Sequence, residues 1–227
     1  MNRHLLKTCT AALALVGLTT PALADHIWIN EFHYDNQVPS ADANEFVEVV
    51  LRTPNTSGFS ASDYAIEFYN GSNGDFYGIT DTLDAYDNIS TTTIGGVSFT
   101  FYGESYAGIQ NGAPDGLALV NVTNNTVAQF LSYEGAFTAD ADNGGIAGAA
   151  GVTSTDIGVA ETTGVTEVQS LGLVGAGDAY EDFTWAGPLL ATSGSANVGQ
   201  TLVPEPASLA LVALGGLTLV GRRRQSA

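Results

Sequence analysis

Positive charge is what this sequence has least of. Its 227 residues hold 24 carboxylates against six lysines and arginines, for a formal charge of −18. Five of the six cations, Arg3, Lys7, Arg222, Arg223 and Arg224, sit at the two ends, which leaves Arg52 alone between Asp25 and Val203. A body with one formal cation repels phosphate backbones, so nucleic-acid binding through a basic patch is excluded. Such a surface favours solubility and attracts divalent cations loosely. Cysteine is nearly absent too: Cys9 is the only one. If the first 24 residues are removed, no thiol remains for a disulfide, a thiolate metal site or a cysteine nucleophile. Histidines are few, and no Gly-x-Ser-x-Gly elbow accompanies His26 or His33, so the sequence offers no Ser-His-Asp arrangement. Zinc ligands do not cluster. Acidic side chains are plentiful enough for a glycosidase pair, but no cleft-forming pattern places two of them together. A non-enzyme is therefore expected.

What is present is best organised at the ends. Residues 1–24 combine a positive start, an apolar core over Ala11–Leu18 and the small-x-small signature Ala22-Leu23-Ala24. This is the pattern of a secretory signal peptide cut after Ala24. The other end runs Pro204-Glu205-Pro206, then an apolar stretch from Ala207 to Val220, then Arg222-Arg223-Arg224. As a helix the apolar stretch reaches only ~21 Å at ~1.5 Å per residue, against a hydrocarbon core of ~30 Å. It predicts one short transmembrane helix, held by arginines on the cytoplasmic side.

This order of parts resembles the PEP-CTERM sorting signal of Gram-negative bacteria that make extracellular polysaccharide. The resemblance implies recognition of Pro204, Glu205 and Pro206 by an exosortase, transient anchoring in the inner membrane, and release to the cell surface or matrix. Arg222, Arg223 and Arg224 match the basic stop of such signals.

Between the ends the chain reads as β structure. The segments 26–34, 45–51, 65–69, 97–102, 116–122, 127–133, 169–174 and 182–185 are rich in β-branched and aromatic residues and are punctuated by Gly, Asn, Asp and Ser. Asn124-Asn125 is a hairpin turn signal, since Asn tolerates positive φ. No window gives an amphipathic helix. The expectation is an all-β, immunoglobulin-like antiparallel sandwich over 25–191, with 192–202 as a spacer and 203–227 as the sorting signal. Residues 139–168 read as a long surface excursion with one short strand near 155–159. Trp28, Phe68, Tyr69, Phe99, Phe101, Tyr102 and Trp185 are expected in the sandwich core. Glu31, Glu45 and Glu48 are expected on solvated strand faces.

Ile29-Asn30-Glu31-Phe32-His33-Tyr34-Asp35-Asn36, followed by Glu45-Phe46-Val47-Glu48, resembles the opening of a bacterial lamin-tail-like domain. Gly116–Val120, Phe130–Gly135, Ser154–Gly158 and Phe183–Trp185 continue the likeness. It implies a β-sandwich used as an accessory module, often beside a nuclease or phosphatase, although this chain leaves no room for such a neighbour. No cofactor is required by the sequence, and its best metal candidate is a loop that could take calcium. Asp35, Asn36, Asp42 and Glu45 could supply oxygens from one loop, the alternative being a solvated loop whose side chains cap local turns. Residues 140–145 form a weaker candidate. The function expected is that of a structural or adhesive matrix protein, with calcium-dependent polysaccharide binding as the alternative and an accessory role in a secreted nuclease or phosphatase system as a third.

Overall fold

A computed structural model describes residues 26–35, 44–54, 58–143, 145, 148–161 and 165–204. It is built from β1 (Ile27–His33), β2 (Phe46–Thr53), β3 (Tyr64–Asn70), β4 (Asp75–Ile79), β5 (Asn88–Ile94), β6 (Val97–Ser105), β7 (Asp115–Asn121), β8 (Thr126–Tyr133), β9 (Thr155–Asp156), β10 (Gln169–Gly177), β11 (Phe183–Leu190) and β12 (Gln200–Leu202). There is no α-helix among the described residues, and none of their helices is long and apolar enough to cross a membrane. The signal peptide with Ala22 and Ala24 and the C-terminal apolar helix lie outside the described residues.

The strands form two sheets. The larger runs β11-β10-β1-β2-β6-β5, with β12 also on β10, and the smaller runs β4-β3-β7-β8-β9. All pairs are antiparallel except β10–β12 and β8–β9, so the sheets are mixed rather than purely antiparallel. Alternation explains the packing. On β1 and β2, Ile27, Ile29, Phe32, Val47, Val49 and Leu51 meet Ile66, Phe68, Leu117, Leu119 and Leu131 of the smaller sheet in one buried cluster.

Alternate residues point the other way, and here the structure departs from expectation. Trp28, Val50, Phe99, Phe101 and Leu173 form a second buried cluster with Phe183 and Leu202. Tyr69, Ala118, Val120 and Phe130 form a third with Phe137, Ala139 and Ala149. The outer faces of both sheets are therefore covered. Trp28, Phe99, Phe101 and Tyr69 are buried as expected, but outside the inter-sheet core; Phe68 and Tyr102 lie within it. Phe137, Ala139 and Ala149 cover the smaller sheet, and β9 falls within the stretch where a short strand was expected.

The larger sheet is covered by the stretch expected to be a spacer. Residues 192–202 cross its outer face, contact β5 at Asn88 and Ser90, and end as β12. The folded unit thus extends to Leu202 and not to residue 191. The reason is chemical: this stretch carries backbone amides and short polar side chains that satisfy carboxylates in the sheet below.

Candidate functional site

Two ends of the sandwich differ in chemistry. The chain enters and leaves at one of them. His26 precedes β1, the Arg52 N–H donates to the His26 carbonyl (2.8 Å), and the Arg52 guanidinium reaches Asp178 Oδ2 through Nη2 (2.6 Å) and Nε (3.1 Å). The one cation of the body thus ties the start of the fold to the β10–β11 turn. Next to that turn the Val203 N–H donates to the Gly177 carbonyl (2.8 Å), and Pro204 lies against Gly95 in the β5–β6 hairpin turn.

β12 and the cover before it hold this exit in place through a buried polar network. β1 pairs with β10 only through Glu31 and Phe32. Beyond that point the two strands separate, and Asn197 fills the gap: its Nδ2 donates to the carbonyls of Asn30 (2.9 Å) and Leu173 (3.0 Å). Gln200 Nε2 donates to Asn30 Oδ1 (2.8 Å). Glu31 and Glu48 face each other across β1 and β2. Glu31 Oε1 accepts from the Ser170 hydroxyl (2.6 Å) and the Thr192 N–H (2.8 Å). Glu48 accepts from Asn30 Nδ2 (2.9 Å) and from the Gly194 N–H (2.5 Å).

Neither carboxylate is on a solvated face; Glu31 is 1 % and Glu48 0 % exposed. Burial, and then the Glu31 charge beside it, pushes the Glu48 carboxyl up to about 8. Burial raises Glu31 as well. These groups are occupied in holding the cover, a role hidden from the sequence because the cover's donors to them, Thr192 and Gly194, lie more than 140 positions away.

Residues 202–224 match the PEP-CTERM protein-sorting motif. No curated protein and no solved structure matches the chain. The match covers about a tenth of the sequence and begins at the last residue of β12, so the PEP-CTERM segment leaves the sandwich with no free linker before it. Pro204 is the one member of the tripeptide among the described residues; Glu205, Pro206, Arg222, Arg223 and Arg224 lie outside them.

The opposite end, one β1 length away or roughly 20 Å at ~3.3 Å per residue, carries Asp35 and Glu45, the described ends of the expected calcium loop. Asn36 and Asp42 lie outside the described residues. Asp35 donates its N–H to Glu161 Oε2 (2.7 Å) and accepts from Asn111 Nδ2 on Oδ1 (3.3 Å). Glu45 is buried, not solvated, and its Oε2 accepts from the N–H groups of Gly108 and Ile109, both at 2.7 Å. That carboxylate braces the loop over 106–114 from beneath. Tyr77 accepts from the Gln110 N–H (2.9 Å), Tyr133 donates to the Gln110 carbonyl, and buried Asp115 accepts from Gly112 (2.5 Å) and Gly71 (2.9 Å).

The braced loop and Asn70, Ser72 and Asp115 line an open cleft of about 370 Å³ whose polar side chains are amides, a hydroxyl and one carboxylate. Among the described residues no group of three or more His, Cys, Asp or Glu side chains is arranged to hold a metal ion. In the weaker candidate, Asp140 Oδ1 accepts from the N–H groups of Asp142 and Asn143, which is turn capping.

Sequence reasoning missed one further buried pair. His33 Nδ1 meets Glu161 Oε1 at 2.7 Å, and Glu161 Oε2 also accepts from the Tyr34 N–H (2.9 Å). Glu161 sits in the Gly-rich excursion, where nothing in the local pattern marks it as a partner of β1.

Proposed function

We propose that this chain is an exported, non-catalytic β-sandwich of a Gram-negative bacterium, sorted by an exosortase through its PEP-CTERM segment to the cell surface or extracellular matrix, where it acts as a structural or adhesive component. The observation that carries the proposal is the sorting-motif match at 202–224, which begins at the last residue of the last strand. A lamin-tail-like identity for the sandwich belongs to the same proposal; its support is that Ile29–His33 and Phe46–Glu48, parts of the two opening motifs, lie on adjacent strands. The location of the exit supports a surface role. Val203 and Pro204 lie beside Gly177 and Gly95, at the end opposite the cleft by Asp35 and Asp115, so an anchor following them would leave that cleft clear of the membrane. The buried carboxylates support the non-catalytic reading, since Glu31, Glu48 and Glu45 hold backbone amides of this chain.

The test is fractionation in an exosortase-positive host and in the same host lacking the enzyme. Wild type should be recovered shortened and outside the inner membrane in the first, and full-length in the membrane in the second. Replacing Glu205 with alanine in the first host should reproduce the second result. Identical fractionation of all three would refute the sorting role. Hydrolysis of phosphoesters, nucleic acids or glycosides by the purified protein, lost on point mutation, would refute the non-catalytic reading.

A further inference from the structure

Sheet edges are normally short, bent, charged or covered, because an open strand edge is a template for another strand. Three of the four edges here obey that rule. β9 has two residues, β4 begins with Asp75 and carries a register shift against β3, and β11 contains Pro188 and a register shift against β10. The fourth does not. β5, Asn88-Ile-Ser-Thr-Thr-Thr-Ile94, pairs with β6 in an unbroken register, and among the described residues no strand lies on its far side. It has no proline, and its Ile89 and Ile94 are 45 % and 37 % exposed.

The hairpin turn fixes which backbone groups are on offer. Gly95 and Gly96 both have positive φ, and Ile94 opposes Val97 across this two-residue loop. Such loops are flanked by a hydrogen-bonded pair, so Ile94, Thr92, Ser90 and Asn88 bond to β6. The N–H and C=O groups of Ile89, Thr91 and Thr93 then face outward. The hydroxyl contacts Thr91–Thr100 (3.0 Å) and Thr93–Ser98 (2.8 Å) agree, because side chains approach most closely in the alternate, non-bonded pairs.

We propose that a second copy of this chain adds to this edge, β5 against β5 in antiparallel fashion, to give one sheet continuous across two molecules. Two observations select a second copy. The edge is self-complementary: a two-fold axis at Thr91 sets Thr91 against its own counterpart and Ile89 against Thr93 of the second copy, twice, so that every outward amide meets a carbonyl. Charge points the same way. Two molecules with a formal charge of −18 repel each other, yet no Asp, Glu, Lys or Arg occurs from Asn88 to Gly103, nor from Thr192 to Val203 beside it. This is the part of the surface where two copies meet at the least electrostatic cost. Antiparallel addition also puts the two tails at opposite ends of the pair. On the sorting reading above, on which this last point rests, paired molecules either bridge two facing surfaces or join after their tails are removed.

The test is the mass of the full chain in detergent by light scattering, over a wide concentration range at low and high salt. Two variants accompany it. Thr91→Pro removes an outward N–H and leaves the bonds to β6; Ile89→Lys puts a cation on the edge, to act as a guard residue does. The wild type should show twice the monomer mass as concentration rises, more readily in high salt. Both variants should stay at monomer mass with an unchanged circular dichroism spectrum, and if Thr91→Pro fails to fold, Ile89→Lys decides. A wild type that is monomeric throughout overturns the proposal, as does a dimer that survives Ile89→Lys. So does a monomer whose Ile89, Thr91 and Thr93 amides resist hydrogen exchange, since another segment would then hold the edge. Association in detergent does not depend on processing, so its failure and a failure of sorting in the host are separate results.

Discussion

Glu48 shows how far a single residue can depart from its sequence context. On an alternating strand it belongs on the face opposite Val47 and Val49, and that face is ordinarily wet. Here the face is covered, and the carboxyl sits between Asn30, the Gly194 amide and the like charge of Glu31. Because its pKa is raised from 4.5 to about 8, the folded state keeps a proton that the unfolded chain gives up. Stability therefore falls as pH rises from about 4.5 to about 8 and levels off above, at about 1.4 kcal/mol per unit of elevation. Urea denaturation of wild type and Glu48→Gln across that range checks this. The variant should lose much of the slope, with Glu31, which is also raised, supplying the remainder. Parallel slopes in the two proteins would contradict the assignment.

At the scale of elements, the strands with clear alternation were legible. β1, β2, β3, β6, β7 and β8 follow the expected segments within a few residues, and Asn125 takes the positive φ its turn requires. β4 and β5 were missed. Asp75-Phe-Tyr-Gly-Ile79 is short and holds a glycine, and the Thr-rich β5 has no apolar alternation because neither of its faces is fully buried. β12 was missed for a different reason: three residues carry no periodic signal, and its position depends on Asn197 and Gln200 reaching Asn30. The cover is thus a tertiary element rather than a local one. Asn197→Ala should cost on the order of 3 kcal/mol, because it strips the amide donor from two buried carbonyls where β1 and β10 separate. Chemical denaturation measures the loss. Amide exchange should show it concentrated in residues 192–202 and the facing part of β10. A cost below about 0.5 kcal/mol, the range of ordinary surface substitutions, would mean that the cover is held without the network.

The whole molecule is governed by its charge. The ion pairs of the described residues are Arg52 with Asp178 and, when the ring is protonated, His33 with Glu161. With a formal charge of −18, repulsion among carboxylates outweighs these attractions. Raising salt from about 0.01 M to about 1 M shortens screening from roughly 30 Å to roughly 3 Å. That should raise the melting temperature, because far more repulsion than attraction is removed. Scanning calorimetry at several sodium chloride concentrations checks the sign, and a falling melting temperature would mean that unseen attractive pairs dominate. The composition made this acidity legible at once, whereas the candidate site was legible only in part. The sorting tripeptide stands out as a string of residues, but the cleft beside Asp35 is assembled from 70–72 and 108–115, brought together by Glu45 just ahead of β2, Tyr77 of β4 and Tyr133 of β8.

The position of the cover in the chain sets a timetable. A ribosome or a translocation pore delivers this polypeptide N-terminus first, so both sheets can pair while Trp28, Val50, Phe99 and Phe101 still lack their roof. Only when Leu202 has emerged does that roof close, and by then the segment that follows is already at the exit. Maturation of the sandwich and presentation of its address label are thereby made nearly simultaneous, and a nascent chain stalled a dozen residues early would display a greasy, half-finished wall to every chaperone and protease it meets.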